Sequence, residues 1–173
     1  MRVLFLDVDG VLNSDDWISR REAAIEAVGE AIRNGEPPPS KPTDLDADSR
    51  QFDPLAVLVL DEIITRSGAA IVISSTWRLL SPIPELVLLL MRKGFTHPTS
   101  VIGCTPADLG NRGNEIQAWL DTVGGVQSFA ILDDDSDMGD LTPHLVKTSF
   151  QHGLLPEHVE KVLKLLGDEN EAA

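Results

Sequence analysis

Val3-Leu4-Phe5-Leu6-Asp7-Val8-Asp9-Gly10-Val11 runs four uninterrupted apolar residues straight into an acidic turn. A short apolar run without alternation predicts a strand buried on both faces, as in a parallel sheet. Two carboxylates and a glycine at its carboxyl end place polar groups where ligands bind in open α/β sheets. A glycine there also lets the backbone fold tightly beside a ligand.

Further strands are expected at Ala69–Ile73, Val101–Ile102 and Phe129–Leu132, with a short fifth at Leu145–Val146. Helices are expected between them. Residues 15–33 place Trp17, Ile18, Ala24, Ile25, Val28, Ala31 and Ile32 on one side, and Asp15 and Asp16 suit the positive helix start. Asp53-Pro54 opens a second helix and Ser67-Gly68 closes it. Ser81-Pro82 opens a third, which Arg92, Lys93 and Gly94 end. A fourth covers about Arg112–Val123, with Ile116, Trp119, Leu120 and Val123 on one face and Gly124-Gly125 beyond. The last begins near Pro156, turns Val159, Val162, Leu163 and Leu166 inward, and stops at Gly167.

Buried strands alternating with helices predict an α/β fold, a Rossmann-like parallel sheet with helices on both faces. The 173 residues suit a single domain, 1–167, with 168–173 as a frayed acidic tail. The segment 15–52 interrupts the passage from the first strand to the helix leading into the second, and is expected to be a small cap-like insertion. Gly35-Glu36-Pro37-Pro38-Pro39-Ser40-Lys41-Pro42 within it reads as extended loop.

The formal net charge of −14, from 14 Lys+Arg against 28 Asp+Glu, disfavours a stable nucleic-acid complex or an anionic membrane surface. Cys104 is the lone cysteine, so no internal disulfide is expected. No stretch reads as a signal peptide or a membrane span, which points to a cytoplasmic protein.

The chemistry-bearing residues follow the strands. The second apolar run ends in Ser74-Ser75-Thr76-Trp77-Arg78, and the fourth in Asp133-Asp134-Asp135-Ser136-Asp137. Three strands thus deliver carboxylates and hydroxyls to one rim. Clustered carboxylates repel, and a hard divalent cation relieves them. Magnesium prefers oxygen ligands and needs few from protein. His97, His144, His152 and His158 show no metal-ligand spacing, and each reads as an ordinary polar residue.

Asp7-x-Asp9-Gly10-Val11 after a hydrophobic strand resembles the first motif of the haloacid dehalogenase (HAD) superfamily. Ser75 is similar to its second motif, Asp133-Asp134 to its fourth, and Arg112, where Lys is commoner, to its third. The phrases Ser75-Thr76-Trp77-Arg78, Arg112–Leu120 and Ile131–Met138, with Val146-Lys147-Thr148 before Gly153-Leu154, resemble a narrower branch. That branch is related to the phosphatase-like domain of Swiss Army knife RNA repair proteins.

The resemblance implies a phosphomonoesterase. Asp7 is the implied nucleophile and Asp9 the acid/base. Ser75 and Arg112 are the implied phosphate-binding pair. Asp7, the Asp9 backbone carbonyl and Asp134 are the implied Mg²⁺ ligands, with Asp133 direct or linked through water. Ser75 is preferred to Ser74 because its spacing to Trp77 fits the branch. Trp77 reads equally as a base-stacking side chain or as packing.

The expected substrate is small and phosphorylated, a nucleotide or a short nucleic-acid end, with Arg20, Arg21, Arg33 and Arg78 as candidates for a positive rim. Two alternatives stand beside the enzyme: a phosphoacceptor receiver-type signalling domain, and a non-catalytic phosphate-binding relative. Asp9, two residues beyond the acceptor, favours turnover over a long-lived acyl phosphate.

Overall fold

The structure, a computed structural model, describes residues 1–37 and 52–167. The proline-rich loop beyond Pro37 and the acidic tail from Asp168 therefore lie outside the described residues. Five strands form one parallel sheet: β1 (Arg2–Leu6), β2 (Ala70–Ile73), β3 (Val101–Cys104), β4 (Ser128–Asp133) and β5 (Leu145–Lys147). Their order is β3-β2-β1-β4-β5. Among the described residues, five α-helices accompany them: α1 (Asp15–Asn34), α2 (Pro54–Ser67), α3 (Ile83–Arg92), α4 (Arg112–Thr122) and, after the last strand, α5 (Val159–Leu165).

Alternate residues of each strand serve opposite faces. Leu4, Leu6, Ile71, Ile73, Ala130 and Leu132 join one core cluster, with side chains from α2, α3 and α5. Val3, Phe5, Val72 and Ile131 join a second, covered by Ile116 of α4 with Trp119 and Leu120 packed against it. Phe5 meets the edges of Trp119 and Phe129. This two-sided burial is why the strands carry no polar alternation. Each fully buried Leu, Ile or Phe contributes on the order of 1.5–3 kcal/mol.

The helix boundaries follow the local chemistry. Asp53 caps α2 by accepting from Leu55 N at 2.9 Å, and Gly68 closes it at φ 62°. Ser14 caps α1 by accepting from Trp17 N at 3.2 Å. The expected start of the last helix is instead a 3₁₀ turn, Pro156–His158, with α5 beginning at Val159. Proline can open either geometry, and the His158 ring bonds the Leu155 N–H at 3.0 Å, tightening the first turn.

Helix α1 departs most from its sequence pattern. Of the seven apolar residues on its expected face, Ala31 is buried, while Ile18, Ile25 and Ile32 are exposed, Ile32 at 67%. Its first turn is tied elsewhere: Asp15 N and Asp16 N donate to Phe150 O and Gln151 O, each at 3.0 Å. Periodicity recorded an amphipathic helix but not what it lies against.

Along the carboxyl rim, the sheet ladder extends one residue past four strands. Asp7 N donates to Leu132 O, Ser74 N to Leu6 O, Thr105 N to Ile73 O and Thr148 N to Asp133 O, at 2.9–3.0 Å. These bonds fix the start of each rim loop. Strand order reverses direction between β1 and β4, so a crevice opens there.

Candidate active site

The crevice is a cavity of about 560 Å³ walled by Asp7, Arg112, Asp133 and Asp134 among others. Asp7 follows β1 and is 6% exposed. Asp133 ends β4 and is fully buried. Carboxylate oxygens of Asp7, Asp133 and Asp134 all lie within 4.8 Å of one another. Burial, more than any neighbour, pushes all three carboxyls above their ordinary range. Asp133 is raised to about 7, with the Asp7 charge adding to the effect.

This donor set fits a hard divalent cation. All three groups offer oxygen, and Asp133 Oδ2 is buried without a hydrogen-bond partner. Arg112 Nε stands 3.2 Å from that oxygen, close enough for ion pairing but not aligned for a hydrogen bond. The other Asp133 oxygen accepts from Asp135 N at 2.9 Å, which fixes the rotamer.

Gly10 makes this assembly sterically feasible. Its φ is +68°, and a Cβ there would lie 2.4 Å from Asp134 Cγ. The Thr148 hydroxyl donates to Gly10 O at 2.6 Å, pinning the turn to the loop after β5. The resemblance covered Thr148, but this bond was not legible in sequence.

Arg112 opens α4 and meets Asp7 at 3.6 Å and Glu115 at 3.7 Å. Arg112 thus pairs with Glu115 and also reaches the acidic cluster. The start of α4 sits directly on the loop after β4. Asp137 accepts from Arg112 N at 3.0 Å, and a Cβ on Gly113 would lie 2.3 Å from Met138 O. Asp137 is thus a helix-start partner.

Ser75 and Ser74 separate cleanly. The Ser75 hydroxyl bonds Asp7 and accepts from Trp77 N at 3.3 Å. Ser74 Oγ is buried without a hydrogen-bond partner. Arg78, expected on a positive rim, instead has a side chain 3% exposed. It donates to Ser74 O, Ser75 O and Pro106 O, and pairs with Glu115 at 2.7 Å. Its five-donor fork suits bracing of a loop end. Arg20 pairs with Asp53 at 2.7 Å.

Asp9 stands apart from the acidic cluster. Its Oδ1 accepts from Asn13 Nδ2 at 2.8 Å and its Oδ2 from Trp77 Nε1 at 2.9 Å. Trp77 also lies 5.7 Å from Phe52, ring centre to ring centre, at a 30° tilt. Asn13 is a residue that sequence reasoning passed over, and Glu115, read only as a surface partner of Arg112, also holds the buried Arg78. An asparagine four positions past Asp9 and a glutamate three past Arg112 were the available signals.

The parallel sheet and the motifs at its rim define a haloacid dehalogenase-type hydrolase domain. The model of the family "HAD domain in Swiss Army Knife RNA repair proteins" matches residues 3–159, and the chain belongs to this family. No curated protein and no solved structure matched it. Among the described residues, no helix is long and apolar enough to cross a membrane.

Proposed function

We propose that the chain is a magnesium-dependent phosphomonoesterase acting on a nucleotide or a nucleic-acid terminal phosphate. The observation that carries this reading is the gathering of Asp7, Asp133 and Asp134 beside Ser75 and Arg112 at one rim. In the first step, an Asp7 oxygen attacks phosphorus, the ester P–O bond breaks, and Asp9 gives its proton to the leaving oxygen. In the second, Asp9 takes a proton from water as that water attacks phosphorus and expels the Asp7 carboxylate. Ser75 and Arg112 grip the phosphoryl oxygens where charge is spread. Asp7, the Asp9 carbonyl and Asp134, with Asp133 beside them, would hold magnesium, which would supply positive charge against the carboxylates and the incoming phosphate.

The family's association with RNA repair supports a nucleic-acid-related substrate. The acidic walls, with Arg78 already committed to loop carbonyls and Glu115, favour a mononucleotide or short end over a long polyanion. Segment 15–52 serves in this reading as a small cap-like insertion in one domain, 1–167, of a cytoplasmic enzyme. The receiver-type alternative and the non-catalytic alternative both lack a role for Asp9.

The test is hydrolysis of a panel of nucleoside monophosphates, 3′- and 5′-phosphorylated oligonucleotides and sugar phosphates, with and without magnesium. Magnesium-dependent release of phosphate, with acid-stable labelling lost in Asp7→Asn, is expected. Full turnover in excess chelator, or by Asp7→Asn, overturns the reading. A sugar phosphate far above every nucleotide in kcat/KM overturns the substrate class.

A further inference from the structure

We propose that Trp77 is a positioning residue: its indole N–H, together with the Asn13 amide, holds the Asp9 carboxylate in one working orientation. This deepens the phosphatase reading and rests on it. Asp9 is the group that must meet the ester oxygen, yet no bond to the acidic cluster holds it. Both of its oxygens are instead met by N–H donors, Asn13 at 2.8 Å and Trp77 at 2.9 Å. Two donors on two oxygens fix both side-chain torsions, which a single bond does not do. Preorganisation of this kind removes the cost of finding the productive rotamer in each turnover.

Both donors are themselves anchored. Asn13 Oδ1 accepts from Gly10 N at 3.2 Å, so the amide cannot flip without losing a bond inside the Asp9 turn. Trp77 is held at three points: its backbone N–H reaches Ser75 Oγ at 3.3 Å, its ring leans on buried Phe52, and Arg78 beside it braces the loop. One residue thereby couples the acid/base to the phosphate-binding hydroxyl and to Phe52, where the chain returns from the 15–52 insertion. The partner that the indole N–H takes here is the carboxylate two residues past the nucleophile. Phenylalanine fills most of that space without the N–H.

The mechanism supplies a readout that a packing role would not move. Protonating the leaving oxygen matters for a poor leaving group, such as an alkyl alcohol, and little for a good one, such as a nitrophenolate. Because kcat/KM reports steps through the first chemical one, it isolates that proton transfer from the later water attack. Trp77→Phe and Asn13→Ala are compared with the parent chain on an alkyl phosphate or nucleoside monophosphate and on 4-nitrophenyl phosphate. Thermal unfolding of each variant is followed in parallel.

Trp77→Phe is expected to lower kcat/KM for the alkyl substrate by about tenfold, a part of the roughly 10²–10⁴-fold that general acid catalysis supplies. The nitrophenyl ester should lose less than about a third of that factor. Asn13→Ala should show the same selectivity, and the double variant less than the product of the two effects. Equal losses on both substrates, or no loss on either, overturn the positioning role. Should Asp7→Asn retain turnover, the phosphatase reading itself falls and takes this inference with it. Should Asp7→Asn be dead and the selectivity absent, only the inference falls.

Discussion

Asp7 and Asp9 are two residues apart in one turn, yet their surroundings are opposite. Asp7 is buried among carboxylates and has Ser75 and Arg112 as partial relief. Asp9 is not one of the three clustered carboxylates, and each of its oxygens is met by an N–H donor. The lesson is that two neighbouring carboxylates on one rim can be given different surroundings by the partners each side chain meets. One carboxylate is left under electrostatic pressure that a cation would relieve. The other is already satisfied and only has to stay in place.

The sharpest way to break that division is to neutralise each carboxylate separately. Asp7→Asn should abolish turnover of every substrate, by at least about 10³-fold, since a covalent route has no substitute nucleophile. Asp9→Asn should cost about 10²–10⁴-fold on alkyl phosphates and markedly less on nitrophenyl phosphate. Steady-state kinetics on paired substrates reads both. Equal and uniform losses from the two variants would erase the distinction.

Gly10→Ala comes next in size. A methyl group 2.4 Å from Asp134 Cγ, on a backbone at φ +68°, forces either the turn or Asp134 to move. A destabilisation of about 1–3 kcal/mol is expected from the backbone conformation alone, together with weakened magnesium binding. Calorimetric unfolding with and without magnesium measures both. An unchanged metal response would show that Asp134 is not where the cation is read.

A smaller effect is expected from pH. Asp133 is raised to about 7 by burial and by Asp7, and Asp7 and Asp134 are raised too. In the metal-free fold these carboxyls hold protons that the unfolded chain releases near pH 4. For Asp133 the stabilising contribution is therefore present below about pH 4 and lost as pH rises through about 7, and Asp7 and Asp134 act in the same direction. Magnesium competes with the same protons, so its increment in Tm should grow between pH 5.5 and pH 8 (roughly the upper half of that titration). A flat increment across that interval would contradict the crowded-carboxylate description.

The least effect should come from the outer face of α1. Ile32 is 67% exposed, so Ile32→Ser should change stability by no more than about 0.5 kcal/mol. A larger loss in thermal unfolding would mean that this face is covered in solution.

The sheet and most of the rim were legible in sequence because both depend on short-range patterns. Uninterrupted runs such as Val3–Leu6 can be buried in few ways, and an acidic turn directly after a buried strand must emerge at the sheet edge. Asp53-Pro54 and Ser67-Gly68 marked the ends of α2 through local capping chemistry, and both ends stand where expected. What pattern could not supply was pairing across long distances in the chain. Trp77 reaching back 68 residues to Asp9, and Arg78 buried against Glu115 rather than lining a positive rim, depend on how loops from different strands meet. The exposed isoleucines of α1 show the same limit from the other side. Periodicity states that a helix has an apolar face, not that the described fold covers it.

The strand order also has a consequence for how the protein is made. β1 lies in the middle of the sheet, and its two neighbours come from distant parts of the chain: Val3 pairs with Ala70 on one side and Arg2 with Ser128 on the other. Such pairings pay a large loop-closure cost before contacts repay it, which slows folding. During synthesis the strand bearing Asp7 must wait, with its apolar run unpaired on one edge, until Ser128–Asp133 has left the ribosome. The same late segment brings Asp133 and Asp134. A nascent or truncated chain ending before β4 would thus expose an unpaired strand edge prone to aggregation and lack two of the three clustered carboxylates.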